Sequence, residues 1–276
     1  MLKIIQKLSP KWLKISVYKL SGKKPWSNGY TTFKFEYIKE ALNNPETLKK
    51  FKNAEKLPGG YGYALDERVV EYPWVLSRIN EESSGYLLDA GSTLNYGQVI
   101  EFSGLKNKKI IIINLNPESY CFWQKEVSYV FGDIREMPFR EDYFDYINCI
   151  STLEHVGMDN IIHTKKQKDK EEKLFDFEKA VLELKRVLKK GGRLFITVPF
   201  GKYQNFNHFQ QFDSVRVGRI LEVFEPQSHK INYYKYEKDG WNISDEESCK
   251  DVEYSKSQNS DFIAAAKAVA CIELVK

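Results

Sequence analysis

The sequence predicts an α/β fold, a doubly wound and mostly parallel sheet preceded by an N-terminal helical extension. Three observations carry that prediction. Apolar runs of strand length alternate with amphipathic segments from residue 86 to the end. Several of these runs are apolar throughout rather than at every second residue, as expected of parallel strands covered on both faces. Polar residues gather where the runs end and are nearly absent within them. With 276 residues and 42% hydrophobic content, the chain is long and apolar enough to bury such a core.

Residues 1–80 read as the extension, and 81–276 as the sheet domain. Leu2, Ile4, Ile5 and Leu8, then Trp12, Ile15, Tyr18 and Leu20, mark one side of two short helical pieces split by Pro10. Lysines fill much of the rest. That pattern fits a membrane-surface or lid helix, or a helix packed on the domain with a solvated basic face, and packing is the expectation. "LPGGYGYALDERVVEYPW", 57–74, joins a glycine-rich turn, Asp66, Glu67 and Arg68, and the aromatics Tyr61, Tyr63, Tyr72 and Trp74. Such a loop can close over a substrate or serve packing alone.

The strands follow as "YLLDAG" (86–91), "KIIIINLNP" (109–117, stopped by Pro117), "VSYVFGD" (127–133) and "YFDYINCIS" (143–151). A helix is predicted over 172–189, where Phe177, Ala180, Val181, Leu184, Val187 and Leu188 recur at three and four residues. Gly191–Gly192 is its expected stop, with Arg186, Lys189 and Lys190 suited to the carboxyl end of the dipole. "RLFITVP" (193–199) is a fifth strand and "DSVRVGRILEVF" (213–224) a helix. "HKINYYKYE" (229–237) and "KAVACIELVK" (267–276) complete seven strands, with a polar stretch at 237–262 between them.

Other classes are excluded by bulk properties. A formal charge of +4 is small for this length and does not point to a nucleic-acid binder. The lysine-rich "HTKKQKDKEEK", 163–173, reads as a solvated loop. No apolar run approaches the roughly 20 residues of a membrane span, and the lysine-studded N-terminus does not read as a secretory signal. Cys121, Cys149, Cys249 and Cys271 form no CxxC pair. Cys149 and Cys271 lie in strand-like runs and read as buried thiols, so a cytoplasmic location is expected.

In an open parallel sheet ligands bind beyond the carboxyl ends of the strands, where strand order reverses. Here those ends present Asp89-Ala-Gly91, Asn114-Leu-Asn116, Gly132-Asp133-Ile134 and Ser151-Thr-Leu-Glu154-His155. "LLDAGS", "GDIREMPFREDYFDYINCISTLEHVG" and "ELKRVLKKGGRLFITVPFG", in that order and spacing, resemble class I S-adenosylmethionine-dependent methyltransferases of the type 11-like kind. The resemblance covers about 85–275. "DERVVEYPW" and "AVACIEL" further resemble a subgroup associated with bacterial surface polysaccharide biosynthesis.

The resemblance implies a Rossmann-like sheet whose last strand is inserted antiparallel beside the fifth, with S-adenosylmethionine as cofactor. Asp89, Gly91 and Ser92 would lie beside its methionine part, Gly91 letting backbone approach closely. Asn114 stands where an acidic residue normally accepts from both ribose hydroxyls; with one neutral acceptor oxygen it is weaker, and Glu118 or Asn116 could take over. Asp133 would receive the adenine amino group, Ile134 would pack on the ring, and Ser151 with Thr152 would line the methionine side. The sparse glycines of the first loop fit a methyl donor better than a pyrophosphate, which needs backbone amides at close range.

The implied reaction is methyl transfer to oxygen of a sugar or nucleotide-linked sugar in capsule or lipopolysaccharide biosynthesis. A hydroxyl nucleophile needs a base, and His155 or His208 is suited to neutral pH, with Glu154 beside them; His163 and His229 read as solvated. Some relatives bind Mg²⁺ through a Glu-x-x-Glu-His element, but Ser151 replaces the first glutamate and Mg²⁺ prefers several oxygen ligands, so no metal is expected. Tyr203, Phe206 and Trp241 suit an acceptor wall, with loops 200–212 and 237–262 as cover. The expected partner is a small-molecule or saccharide acceptor and not nucleic acid; membrane-surface contact and a homo-oligomer stay open. The rival readings are a non-catalytic S-adenosylmethionine-binding module, an RNA methyltransferase, and a nicotinamide-dependent sugar oxidoreductase.

Overall fold

The computed structural model describes residues 10–118, 120–254 and 266–276. Helices α1 (Lys11–Leu20), α2 (Tyr30–Leu42), α3 (Pro45–Asn53) and α4 (Arg68–Leu76) precede the sheet. The first helical piece expected before Pro10 lies outside the described residues. The sheet begins with β1 (Gly85–Ala90), β2 (Lys108–Asn114), β3 (Ser128–Phe131) and β4 (Phe144–Ile150), with the single turn α5 (Gly97–Ile100) after β1. A second single turn, α6 (Ile161–Thr164), precedes α7 (Phe177–Val187), β5 (Leu188–Pro199), the short hairpin β6 (Gln204–Asn205) and β7 (Gln210–Gln211), and α8 (Ser214–Phe224). The chain closes with β8 (Ser228–Glu237), β9 (Gly240–Ser244), the turn α9 (Glu246–Cys249) and β10 (Ala268–Val275).

The sheet runs in the order β3-β2-β1-β4-β5-β10-β8-β9. β1 to β5 are mutually parallel, and β10 lies antiparallel between β5 and β8. This is a doubly wound, Rossmann-like arrangement, and its strand order reverses between β1 and β4. One strand exceeds the expected seven. The polar stretch after β8 turns at Lys238-Asp239 and returns as β9 paired antiparallel to β8, its first residue Gly240 at φ +134° and opposite Glu237. Asp-Gly followed by "WNIS" is a hairpin signal, hidden by the surrounding polar residues.

Neighbouring residues of one strand serve opposite faces. Leu87, Ile112, Phe195 and Cys271 join the N-terminal helices in one core, which also takes Tyr18, Tyr30, Phe51, Tyr72 and Trp74. Leu88, Ile113, Ile147 and Ile196 join α7 and α8 in the other. α7 illustrates the cause: Phe177, Ala180, Val181, Leu184 and Val187 are all fully buried. Burying a large apolar side chain contributes about 1.5–3 kcal/mol over leaving it exposed, so this stripe holds the helix in place.

α7 is shorter than the predicted 172–189. Leu188 passes straight into β5, and Gly191–Gly192 lies in an irregular start of that strand, with Gly191 at φ +75°. The Gly191 N–H donates to the Lys276 carbonyl and the Lys276 N–H to that of Gly192. The glycine pair therefore ties the start of β5 to the residue after β10 rather than capping the helix. Cys149, Cys249 and Cys271 are buried free thiols, and Cys121 is exposed and free.

Candidate active site

A cavity of about 520 Å³ opens at the carboxyl ends of β1 to β4. That lies within the range of small-molecule sites, and it sits at the switch point. The first and fourth strands turn sharply as they reach it. Gly91 has φ +112°, Ser92 +61° and Ser151 +39°. A Cβ at Gly91 would lie 2.1 Å from the Thr152 Oγ1, so only glycine lets the first loop pass the fourth strand's end.

Of the expected cofactor residues, Gly91, Ser92, Asn114, Asp133, Ile134 and Ser151 line the cavity, and Thr152 joins them. Asp89 does not. It is fully buried beneath the loop, where its carboxylate accepts from the Leu94 N–H (2.7 Å) and the Thr93 hydroxyl (3.0 Å). Burial pushes its pKa up to about 7, against the lowering effect of those donors. Asp89 thus shapes the loop from below.

The ribose-side prediction takes a specific form. The Asn114 Nδ2 donates to the Glu118 Oε1 at 2.8 Å, while its Oδ1 accepts the Leu115 N–H at 2.9 Å. Its single acceptor oxygen is already engaged, whereas Glu118, also on the cavity wall, offers a carboxylate held in place by Asn114. Asp133 is likewise held. Arg135 donates from its backbone N–H and from Nε and Nη2, at 2.7–3.1 Å. A carboxylate has about four lone-pair positions, so little acceptor capacity is left for another group. Arg135 in turn pairs with Glu171 and Asp176.

The acceptor side departs further from expectation. His155 lines the cavity, and its Nδ1 lies 2.7 Å from the His208 carbonyl oxygen. Donation from Nδ1–H leaves Nε2 as an open acceptor. Burial lowers the His155 pKa to about 4, only partly offset by that carbonyl, so the ring is neutral at physiological pH. The His208 ring is not among the lining side chains; it packs edge-on against Phe209, and His208 serves through its backbone. His163 is exposed, as expected, and also lines the cavity, its ring 5.5 Å from that of His155. His229 is exposed in β8.

Glu154 is buried at 3% exposure, and its Oε2 has no hydrogen-bond partner. Burial first, and then Glu71 and Glu67, raise its pKa well above the carboxylate range. Glu154 does not line the cavity, and its burial favours the protonated carboxyl. Trp241 is likewise core, 1% exposed, with its Nε1–H donating to the Leu65 carbonyl at 3.0 Å. Tyr203 lies under the Arg216 guanidinium, 3.4 Å from ring centroid to Cζ, and Phe206 stacks on Phe209. None of these three lines the cavity. Among the described residues no group of three or more His, Cys, Asp or Glu is placed to hold a metal ion.

From sequence, Arg68 and Tyr72 stand within a segment able to close over a substrate, but read as a loop; the structure makes that part of it the helix α4. Arg68 and Tyr72 reach the cavity from that helix, and Tyr96 reaches it from the first loop. Beneath Arg68, the fully buried Glu71 pairs with its guanidinium and accepts from the Ser151 Oγ and the Thr197 Oγ1, each at 2.7 Å. One buried carboxylate therefore ties the helix before the sheet to the ends of β4 and β5. The three-residue interval between Arg68 and Glu71 placed them on one helical side, which was a usable signal.

The fit to an adenosyl donor can be judged from the walls. The glycine passage at Gly91, the carboxylate of Glu118 and the buried, unpartnered Ser92 Oγ supply close backbone approach and polar groups still seeking partners. These features suit a nucleoside carrying a polar amino-acid end.

Residues 88–196 match the family described as a methyltransferase domain. No curated protein matches the chain by sequence. Solved structures similar to it include a methyltransferase from Thermotoga maritima, 12% identical, covering 88% of this chain and 100% of that one with a TM-score of 0.46. The 1,6-didemethyltoxoflavin-N1-methyltransferase of Burkholderia thailandensis, solved with S-adenosylhomocysteine, is 12% identical over 88% of this chain and 90% of its own, TM-score 0.46. The N-methyltransferase NodS of Bradyrhizobium japonicum, also with S-adenosylhomocysteine, is 11% identical over 88% and 98%, TM-score 0.42.

Proposed function

We propose that the chain is an S-adenosylmethionine-dependent methyltransferase acting on a hydroxyl of a saccharide or nucleotide-linked sugar, in surface-polysaccharide biosynthesis. The observation that carries the methyl-transfer reading is the gathering of four strand-end motifs around one cavity, with a glycine passage on one wall and a neutral histidine on another. When bound, S-adenosylmethionine supplies an electrophilic methyl carbon. The protein's own work is placement and proton management. Gly91, Ser92 and Thr152 receive the amino-acid end, Glu118 accepts from the ribose, and Ile134 with Asp133 flanks the base. His155 directs Nε2 toward the acceptor side and takes the hydroxyl proton, its ring fixed by the His208 carbonyl.

The saccharide acceptor draws its support from the resemblance of "DERVVEYPW" and "AVACIEL" to the polysaccharide subgroup. The first of these segments, 66–74, runs into α4, which brings Arg68 onto the cavity wall. A guanidinium there suits the diphosphate of a nucleotide-linked sugar. We assign residues 1–80 to packing and cover, and 81–276 to methyl transfer. The test is incorporation of tritiated methyl groups from S-adenosylmethionine into separate pools of nucleotide sugars, polysaccharide and RNA. Label in a saccharide pool is expected. Label confined to RNA would overturn the acceptor, and an absence of S-adenosylhomocysteine binding by calorimetry would overturn the reaction itself.

A further inference from the structure

The first described helix leaves its apolar face uncovered. In α1 only Tyr18 is buried, whereas Trp12, Leu13, Val17 and Leu20 are 68, 38, 38 and 88% exposed. Leu13, Val17 and Leu20 follow one another at four and three residues and share a face, with Trp12 beside them. Trp26, just after the helix, is 62% exposed. A single exposed apolar side chain needs no explanation; four on ten residues mark a surface that a partner removes from water. The packed helix expected from sequence therefore holds for Tyr18 only.

Within the segment that carries this face the charge has one sign. Residues 11–24 contain Lys11, Lys14, Lys19, Lys23 and Lys24 and no acidic residue. Lys11 pairs with Glu36 of α2. Lys19 and Lys23 lie over the rings of Phe33 and Tyr63, contacts that leave their charge intact. An apolar stripe with a tryptophan at its edge, flanked by long cationic side chains, is the composition that settles at a headgroup boundary. No described helix is long and apolar enough to cross a membrane, so such contact would lie in the plane of the surface.

We propose that α1 and the turn following it dock the chain on an anionic lipid surface, with Trp12, Leu13, Val17 and Leu20 entering the interface and the lysines meeting the headgroups. The proposal stands apart from the methyl-transfer reading. Its test is co-sedimentation of the full chain with vesicles of equal parts phosphatidylglycerol and phosphatidylcholine, against vesicles of phosphatidylcholine alone. Partition to the anionic vesicles is expected, weakening as salt rises. The variants Trp12→Ala/Leu20→Glu and Lys19→Glu/Lys24→Glu should each reduce it about tenfold or more. All four positions are exposed, so wild-type circular dichroism and melting should persist. Absence of wild-type partition, or equal partition by both variants, overturns the proposal. So does self-association in sedimentation equilibrium that Leu20→Glu abolishes without lipid uptake, because the face then belongs to a second copy.

Discussion

His155 is the residue on which the chemistry and the electrostatics meet. Its Nδ1 is committed to the His208 carbonyl and its pKa lies near 4, so Nε2 is free of a proton across the physiological range. His155→Gln should lower turnover by about 10²–10⁴-fold, the usual contribution of a positioned base, while S-adenosylhomocysteine affinity survives. Single-turnover rates with calorimetry check both. The same pKa has a stability consequence of defined sign. A histidine whose pKa falls on folding binds its proton more readily when unfolded, so its contribution is complete above about 6.5 and fades as pH falls toward 4. Between pH 7.5 and 5 the wild type should lose about 2 kcal/mol that His155→Gln does not, as read by urea unfolding at the two pH values. The sequence disclosed this residue type and its strand-end position, but not which histidine turns its ring inward. The His208 ring, expected at the site, does not line the cavity, because loop conformation, rather than spacing, decides where a ring points.

At the scale of elements, the strand-end loops were legible and their covering helix was not. "LLDAGS" announces a turn after an apolar strand, and that turn lies where strand order reverses. Its demand for glycine is local and steric. Gly91→Ala must hold φ near +112° and place a Cβ against Thr152, so S-adenosylhomocysteine affinity should fall by at least about tenfold, given strain on the order of 1–3 kcal/mol for such a backbone. Calorimetry reads the loss, and an unchanged affinity would show that the loop can move aside. The Glu71 tie within α4 is not legible because it needs partners 80 and 126 residues away, Ser151 and Thr197. Periodicity reports which face of a helix is apolar. It does not report which distant hydroxyls will satisfy a carboxylate buried on that face. β9 escaped for another reason, since a short edge strand next to polar loops lacks a long apolar run.

For the whole molecule, the same two-faced sheet that made the fold class readable also binds the N-terminal helices to it. α7 and α8 cover one face, and residues from Tyr18 to Ile79 cover the other. Phe51 of α3 is fully buried between Tyr61 and Tyr234, with ring centroids 5.5 Å away in both cases. Arg78 adds a second tie across the sheet, pairing with Glu273 of β10 at 3.4 Å and donating to Asn232 of β8 at 3.2 Å. If this packing is shared, the helices and the sheet should unfold as one cooperative unit. Near-ultraviolet circular dichroism and protection by bound S-adenosylhomocysteine should then report the same urea midpoint. Phe51→Ala removes a ring from a site with no exposure, at about 3–5 kcal/mol, which for a chain of this size lowers the melting temperature by roughly 10 °C. It should shift both midpoints together, although Phe51 lies outside the set of cavity-lining residues. Two separate midpoints, with only the earlier one moved by the substitution, would show that the N-terminal helices are an attachment and not a layer of the core.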